Sequence, residues 1–197
     1  MQINIILAGV GGQGILTIAA VIDQAALQSG LIVRQAEVHG MSQRGGAVQS
    51  HLRIADQEIY SDLIAEGTAN LILSVEPLEA LRYLPFLASE GRIVTSTDLF
   101  INMEGYPAME HIHAELHRTN RPVLVSAVEL ARKAGSPRTS NMVMLGAAAP
   151  FTGLASHELE ASIEKLFSAK GDEIVAMNIR AFKIGRASCR ERVCQYV

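Results

Sequence analysis

Cysteine is missing from the first 188 residues of this 197-residue chain; the two present, Cys189 and Cys194, fall in its last nine positions. The body therefore has no disulfide framework, no thiolate nucleophile and no cysteine ligands for zinc or an iron–sulfur cluster. Tryptophan is absent and aromatic residues make up 5% of the chain, which removes base-stacking platforms. A positive excess is also missing: 17 Lys and Arg stand against 20 Asp and Glu, and the pI is about 6.1. Broad nucleic-acid binding is therefore not expected. The chain is 49% hydrophobic with a mean hydropathy of +0.21, yet no apolar run reaches the length of a membrane span. The start is strand-like, without a basic segment or a small-residue cleavage site, so no membrane association and a cytoplasmic location are expected. No repeat or low-complexity tract occurs. The length suits one domain able to bury about 70% of its unfolded surface.

What is present begins at the second residue. Ile3, Ile5, Ile6 and Leu7 form a short apolar run rich in β-branched residues, the pattern of a strand buried on both faces. Gly9, Gly11 and Gly14 then give G-x-G-x-x-G where the strand should turn into a helix. The helix is predicted through Leu16, Ala19, Ala20, Ile22, Ala25, Ala26 and Leu27, with Gly30 to end it. Glycines let the backbone turn sharply and approach a ligand closely, and free N–H groups at a helix start favour an anionic group such as phosphate. The same pattern is also compatible with a tight turn that binds nothing. The additional Gly12-Gln13 pair is not demanded by the ordinary dinucleotide fingerprint, so NAD is not the automatic ligand.

Residues 31–36 predict a second strand, and a βαβ start points to a parallel sheet with helices on both faces. The polar, glycine-bearing stretch from Glu37 to Gly46 follows at the carboxyl edge, where ligands gather in such sheets. Residues 47–54 alternate as a strand with one wetter face, and Glu58-Ile59-Tyr60 is its predicted hairpin partner. Further strands are expected at 70–75, 91–95 and 123–126. Helices are expected after Glu76-Pro77, with Leu78, Ala80, Leu81, Leu84 and Leu87 as the apolar face, and at 108–119, 127–134, 141–149, 156–168 and 171–182. The expected fold is α/β: a three-layer, Rossmann-like, mostly parallel sheet with helices on both faces and a helical C-terminal part. From about Ile184 the sequence lacks the periodicity of the body and resembles a translated sequencing adapter. Residues 1–183 are thus expected to be the single domain and 184–197 a non-native tail. Without that tail the body carries 14 basic and 19 acidic residues.

Several groups could carry chemistry. Glu37 stands where a nucleotide-binding fold places the acid for a ribose hydroxyl, or it braces the loop. Ser42, Gln43, Arg44, Gly45 and Gly46 could bind an anion, Arg44 offering a planar fork for phosphate or carboxylate, or could pair with a partner's carboxylate. His113 and His117 are four apart and could share a helix face with His111 nearby, but no zincin-type motif accompanies them, and a solvated helix face is expected rather than a metal site. His51 and His157 are expected to be structural. No Gly-x-Ser-x-Gly elbow occurs, and Glu158 and Glu160 lie on a predicted amphipathic helix that needs no catalytic role. No catalytic residue is assigned to this chain.

Three segments together resemble the gamma-type subunit of the 2-oxoacid:ferredoxin oxidoreductases. They are Gly9-Val-Gly-Gly-Gln-Gly-Ile-Leu-Thr17, then Glu37-Val-His-Gly-Met-Ser-Gln-Arg-Gly-Gly46 running into Ser50-His-Leu-Arg53, and Asn141-Met-Val-Met-Leu-Gly146. The His-Gly-Met form of the second segment favours the indolepyruvate branch. The resemblance implies a role in oxidative decarboxylation of aryl pyruvates to aryl-acetyl-CoA with reduction of ferredoxin. It implies CoA as the candidate ligand of this chain, at Gly9, Gly11, Gly12, Gln13 and Gly14, with the Glu37–Gly46 loop nearby. Thiamine diphosphate and 4Fe-4S clusters are expected on an alpha subunit, through which ferredoxin is reached. This chain has no Gly-Asp-Gly thiamine signature and no cysteine ligands in its body. The competing readings are a free-standing NAD- or flavin-dependent oxidoreductase and a ligand-free structural subunit.

Overall fold

A computed structural model describes residues 1–39, 45–101, 103–119 and 122–193, with only the backbone of residue 39 and of residues 190–193. A six-stranded sheet runs through it, built from β1 (Gln2–Val10), β2 (Ile32–His39), β3 (Ala47–Ala55), β4 (Ala69–Ser74), β5 (Leu87–Ser96) and β6 (Val123–Val125) in the spatial order β2-β3-β1-β4-β5-β6. The helices are α1 (Ile15–Gln28), α2 (Pro77–Arg82), α3 (Met109–His117), α4 (Ala127–Ala134), α5 (Ser140–Ala148), α6 (Ser156–Phe167) and α7 (Asp172–Val193).

Alternation along β1 divides the core. Ile5 and Leu7 enter one apolar layer with α1, α4, α5, α6 and α7, while Ile6 and Ala8 enter the other with Ala80 of α2 and Ile112 and Leu116 of α3. A strand whose side chains must be covered on both faces has few polar positions to spare, as its apolar run implied. Ile5, Ile6 and Leu7 are fully buried, each contributing roughly 1.5–3 kcal/mol by burial. The three-layer α/β arrangement follows, with the heavier helical layer on the α1 side.

The sheet is mixed in one place. β4, β5 and β6 extend β1 in parallel, but β3 is antiparallel to both β1 and β2 and lies between them. The predicted hairpin of residues 47–54 with Glu58-Ile59-Tyr60 does not form. Residues 58–60 are not a strand, and β3 satisfies its edges with β1 on one side and β2 on the other. Two partners of eight or nine residues outcompete a three-residue one, because each added pair contributes another ladder bond and cross-strand contact.

Two other boundaries move. The helix after Glu76 stops at Arg82: Pro85 has no N–H to donate, a 3-10 turn covers Leu84–Phe86, and Leu87 opens β5 instead of completing a helical face. Glu76 caps α2 by accepting from Glu79 N at 2.9 Å, so the start was as the Glu-Pro pair implied. The last helix, predicted to end at 182, continues to Val193. Its periodicity persists in small residues rather than large ones: Ala181, Gly185 and Cys189 recur every four positions, and Ala181 and Cys189 are buried. They pack against α5, a helix buried along almost its whole surface. A Cβ built at Gly146 of α5 would lie 2.0 Å from the Phe182 carbonyl oxygen, and one at Gly185 would lie 1.9 Å from the Val143 carbonyl oxygen. The two glycines set the separation of these helices. No helix among the described residues is long and apolar enough to cross a membrane.

Candidate functional site

The carboxyl end of β1 passes into α1 through the glycine segment. Gly12 and Gly14 have φ of +100° and +82°, conformations that side-chain-bearing residues rarely adopt. Gln13 fixes the turn from inside: its side-chain Oε1 accepts from Val10 N at 2.7 Å, while its backbone N–H donates to the Val10 carbonyl at 3.1 Å. This accounts for the additional Gly12-Gln13 pair as loop closure. Gly9 lets Val75 and Ile15 close over the strand end, since a Cβ there would meet Val75 Cγ2 at 2.4 Å.

The second segment returns to the first. Gly11 N donates to the Gly46 carbonyl at 2.9 Å, so the far end of the Glu37–Gly46 stretch is tied to the glycine turn through the insertion of β3. Gly45 has φ +79° with nothing near its absent Cβ. Ser42, Gln43 and Arg44 lie outside the described residues. The third segment also arrives here: Asn141 Nδ2 reaches the Gly14 carbonyl at 3.4 Å, and a Cβ on Gly14 would sit 2.6 Å from that same nitrogen. Three stretches far apart in sequence thus converge on one turn.

The turn is rich in N–H donors without acceptors. α1 carries no acidic residue in its first turn and no side-chain cap. Gly11 N and Gln13 N are bonded internally, but the N–H groups of Gly12, Gly14, Ile15 and Leu16 have no acceptor among the described residues. A cavity of about 440 Å³ opens there, lined by Val10, Gly11, Gly12, Gly14, Ile15, Leu16 and Val48. Four unused donors at the positive end of a 14-residue helix, with no competing carboxylate, suit a phosphate.

Glu37 is elsewhere. It lies within β2, paired to Ser50, which is in turn opposite Leu7. Two strand spacings, about 10 Å, separate it from β1, because β3 fills the place that the second strand has beside the first in the ordinary dinucleotide fold. The structure therefore does not bring Glu37 to the glycine turn as a ribose-binding acid. Gln35 Nε2 donates to it at 2.7 Å and to Ser50 Oγ at 3.0 Å. Its charge is felt by Asp23 of α1, whose buried Oδ1 has no partner. Burial first, and the Glu37 charge second, push the Asp23 carboxyl from 3.8 up to about 7. Folding thus favours the protonated form. The stability this group contributes is complete below its unfolded value near 3.8 and is lost as pH rises through about 7. Asp23→Asn is expected to leave stability near pH 4 almost unchanged and to raise it near pH 8. The gain should be on the order of 1–2 kcal/mol after allowance for solvent screening, about 2–8 °C in thermal midpoint.

The histidines differ in burial: His157, expected to be structural, is exposed, and His113 is half-buried with its Nε2 unpartnered. His51 is buried; its Nδ1 accepts from Ile64 N at 3.1 Å, its ring stands edge-on to Phe86, and burial lowers its pKa. His113 and His117 share a face of α3 with ring centroids 6.4 Å apart, and no group of three metal-capable side chains occurs among the described residues. Glu158 ties helices together, accepting from Ser29 Oγ at 2.6 Å and Ala155 N at 2.7 Å.

Sequence reasoning missed one feature of this edge. Glu76, 1% exposed, lies just beyond β4 and accepts from the Tyr106 hydroxyl. Burial, then the hydrogen bond to Glu76, raises the Tyr106 phenol well above its usual range. The Glu-Pro pair marked only a helix start, and nothing in the sequence pointed across 30 residues to a tyrosine.

The family model described as pyruvate ferredoxin/flavodoxin oxidoreductase matches residues 4–188. The chain is 38% identical to the indolepyruvate oxidoreductase subunit IorB of Archaeoglobus fulgidus over 94% of each chain. Its fold is shared with the gamma subunit of a keto/oxoacid ferredoxin oxidoreductase from Geobacter sulfurreducens (TM-score 0.71, 22% identity, 96% of this chain and 99% of that one). It is also shared with the 2-oxoglutarate:ferredoxin oxidoreductase of Magnetococcus marinus, solved with 2-oxoglutarate, coenzyme A and succinyl-CoA bound (TM-score 0.76, 20% identity, 96% of this chain and 31% of that one).

Proposed function

This chain belongs to the pyruvate ferredoxin/flavodoxin oxidoreductase family, and from that premise we propose that it is the non-thiamine subunit of a complex that oxidatively decarboxylates aryl pyruvates such as indolepyruvate. The complex forms aryl-acetyl-CoA and reduces ferredoxin. The IorB relative supports the aryl substrate, being named for indolepyruvate. An alpha subunit carries thiamine diphosphate and the 4Fe-4S clusters, and ferredoxin is reached through it, in the cytoplasm. The residues of this chain do not fit those groups: two cysteines cannot furnish the four thiolates of a cluster.

CoA does fit. The observation that carries this reading is the set of four N–H groups at Gly12, Gly14, Ile15 and Leu16 with no acceptor among the described residues, all on residues that line one cavity. In this proposal Gly9, Gly11 and Gly14 let the backbone come close to a CoA phosphate, and Gln13 holds the turn in shape. Gly45 and Gly46 flank it, and Arg44, with Ser42 and Gln43, supplies polar contacts to the same ligand or to the partner. CoA brings the thiol that accepts the acyl group; this chain binds and orients it. Glu37 takes no part in that contact. The domain is proposed to reach past residue 183, since Gly185 and Cys189 pack with the core and the family match runs to 188, with the non-native stretch confined to residues beyond it; re-sequencing the gene across codons 184–197 tests this.

Calorimetry with CoA on the assembled complex tests the ligand. Gly11→Val places a branched side chain on the cavity wall and is expected to weaken CoA at least tenfold, about 1.4 kcal/mol, while leaving assembly intact. Unchanged affinity would remove the assignment. Reduction of ferredoxin by the complex in the presence of indolepyruvate and CoA tests the reaction.

A further inference from the structure

The segment from Asn141 to Gly146 brings to the glycine turn a side chain to which no role attaches. Asn141 is the second residue of α5, and the positions after it, Met142, Val143, Met144 and Leu145, are apolar and fully buried. Asn141 itself is 9% exposed. An amide among such neighbours is destabilising unless its polar atoms are bonded. Both are. Oδ1 accepts from Met142 N at 3.0 Å, which satisfies an N–H group in the first turn of α5, where Thr139 offers no side-chain cap. Nδ2 donates to the Gly14 carbonyl at 3.4 Å. Aspartate has the same shape and could serve α5 as well, but when ionised it has no donor for the glycine turn.

That bond bears on the donors of the turn. A trans peptide is planar, with its C=O and N–H pointing opposite ways, and the Gly14 carbonyl and the Ile15 N–H belong to one such unit. Thr17 N and Ile18 N hold the Gly14 oxygen along α1, at 3.1 and 3.2 Å; Asn141 reaches it from α5. Gly14 has φ +82° and a backbone free to take other conformations, so its neighbours must set the peptide that follows it. Packing adds to the bond, since a Cβ on Gly14 would lie 2.6 Å from Asn141 Nδ2. We propose that Asn141 is a positioning residue of the turn: by holding the Gly14 carbonyl it aims the Ile15 N–H at a CoA phosphate. That role rests on the CoA reading and belongs to a side chain 127 positions away in sequence.

The test uses the assembled complex and reads CoA affinity by calorimetry, the KM for CoA, and kcat at saturating CoA. Asn141→Asp keeps the bond to Met142 N but sets an oxygen against the Gly14 carbonyl and a negative charge beside the turn. It is expected to weaken CoA by about tenfold or more. Asn141→Ala should weaken it by about threefold to tenfold, raising the KM for CoA while kcat at saturation stays within about twofold. Asn178→Ala is the control. Asn178 is also buried, its Nδ2 donates to the Ile174 carbonyl at 2.8 Å within α7, and its loss should lower the melting temperature without changing CoA affinity. Action through Gly14 also requires non-additivity, so Gly14→Ala combined with Asn141→Ala should lose no more affinity than Gly14→Ala alone. Unchanged affinity in both Asn141 variants, a fall in kcat with unchanged KM, or additive losses in the pair would overturn the inference and leave the CoA reading in place. No CoA binding by the unaltered complex would overturn both.

Discussion

Gly146→Val is expected to destabilise the protein by about 3–5 kcal/mol, lowering the thermal midpoint by roughly 6–20 °C and leaving much of the chain insoluble. The reason is geometric. α5 is buried along nearly all its length, and α7 crosses it so closely that a Cβ at Gly146 would fall 2.0 Å from the Phe182 carbonyl and 2.9 Å from Arg186 N. The obstacle is backbone, which cannot turn aside as a flexible side chain does. Either α7 lifts away, exposing Phe182 and Ala181, or α5 shifts into the sheet. Even alanine meets the same atoms, so Gly146→Ala should also destabilise, by less. Gly171→Ala serves as a contrast: its φ of +92° makes alanine strained, but nothing lies within 4 Å of the added carbon. A urea titration comparing the three separates crowding from backbone strain. Near-native stability of Gly146→Val would mean the two helices are not packed as described.

The isolated chain should leave indolepyruvate unconsumed in the presence of CoA and oxidised ferredoxin, at a rate indistinguishable from buffer. Adding the alpha subunit should restore ferredoxin reduction, a change of several orders of magnitude. Decarboxylation leaves a carbanion that needs an electron sink, and moving electrons to ferredoxin needs a relay; cofactors carry both kinds of chemistry. The chain has two cysteines in 197 residues and no thiamine signature. Its proposed contribution, holding CoA, positions an acceptor and cannot start the reaction. Turnover by the purified single chain, shown free of its partner by mass spectrometry, would end the subunit reading and favour a stand-alone oxidoreductase.

Much of this was legible in the residues. The run from Ile3 to Leu7 announced a strand covered on both sides, the spaced glycines announced the turn, and both held because they depend on local patterning. The placement of β3 was not legible. Its alternating pattern says that it is a strand and says nothing about which neighbours it takes, so the hairpin with residues 58–60 was the local choice and the wedge between β1 and β2 the tertiary one. The position of Glu37 has the same origin: a ribose acid at the end of the second strand assumes that this strand lies beside the first, and here β3 lies between them. The extent of α7 was missed because its buried stripe is made of alanine, glycine and cysteine, which hydropathy patterns weigh lightly. Gln13 and Asn141 stood in quoted segments, but their hydrogen bonds to the glycine turn needed coordinates to be seen.

The insertion of β3 also sets which pairings are local and which are distant. β2 and β3 are neighbours in sequence and can zip together as a local ribbon, whereas β1 pairs with β3 across 37 to 53 positions and with β4 across 66. β1 has no ladder bond to β2, so the two meet only through β3. Gly11 meets Gly46 where β1 and β3 come together. A nascent polypeptide that has emerged no further than α1 therefore holds Gly9, Gly11, Gly12 and Gly14 but lacks the strand end whose Gly46 carbonyl braces the turn.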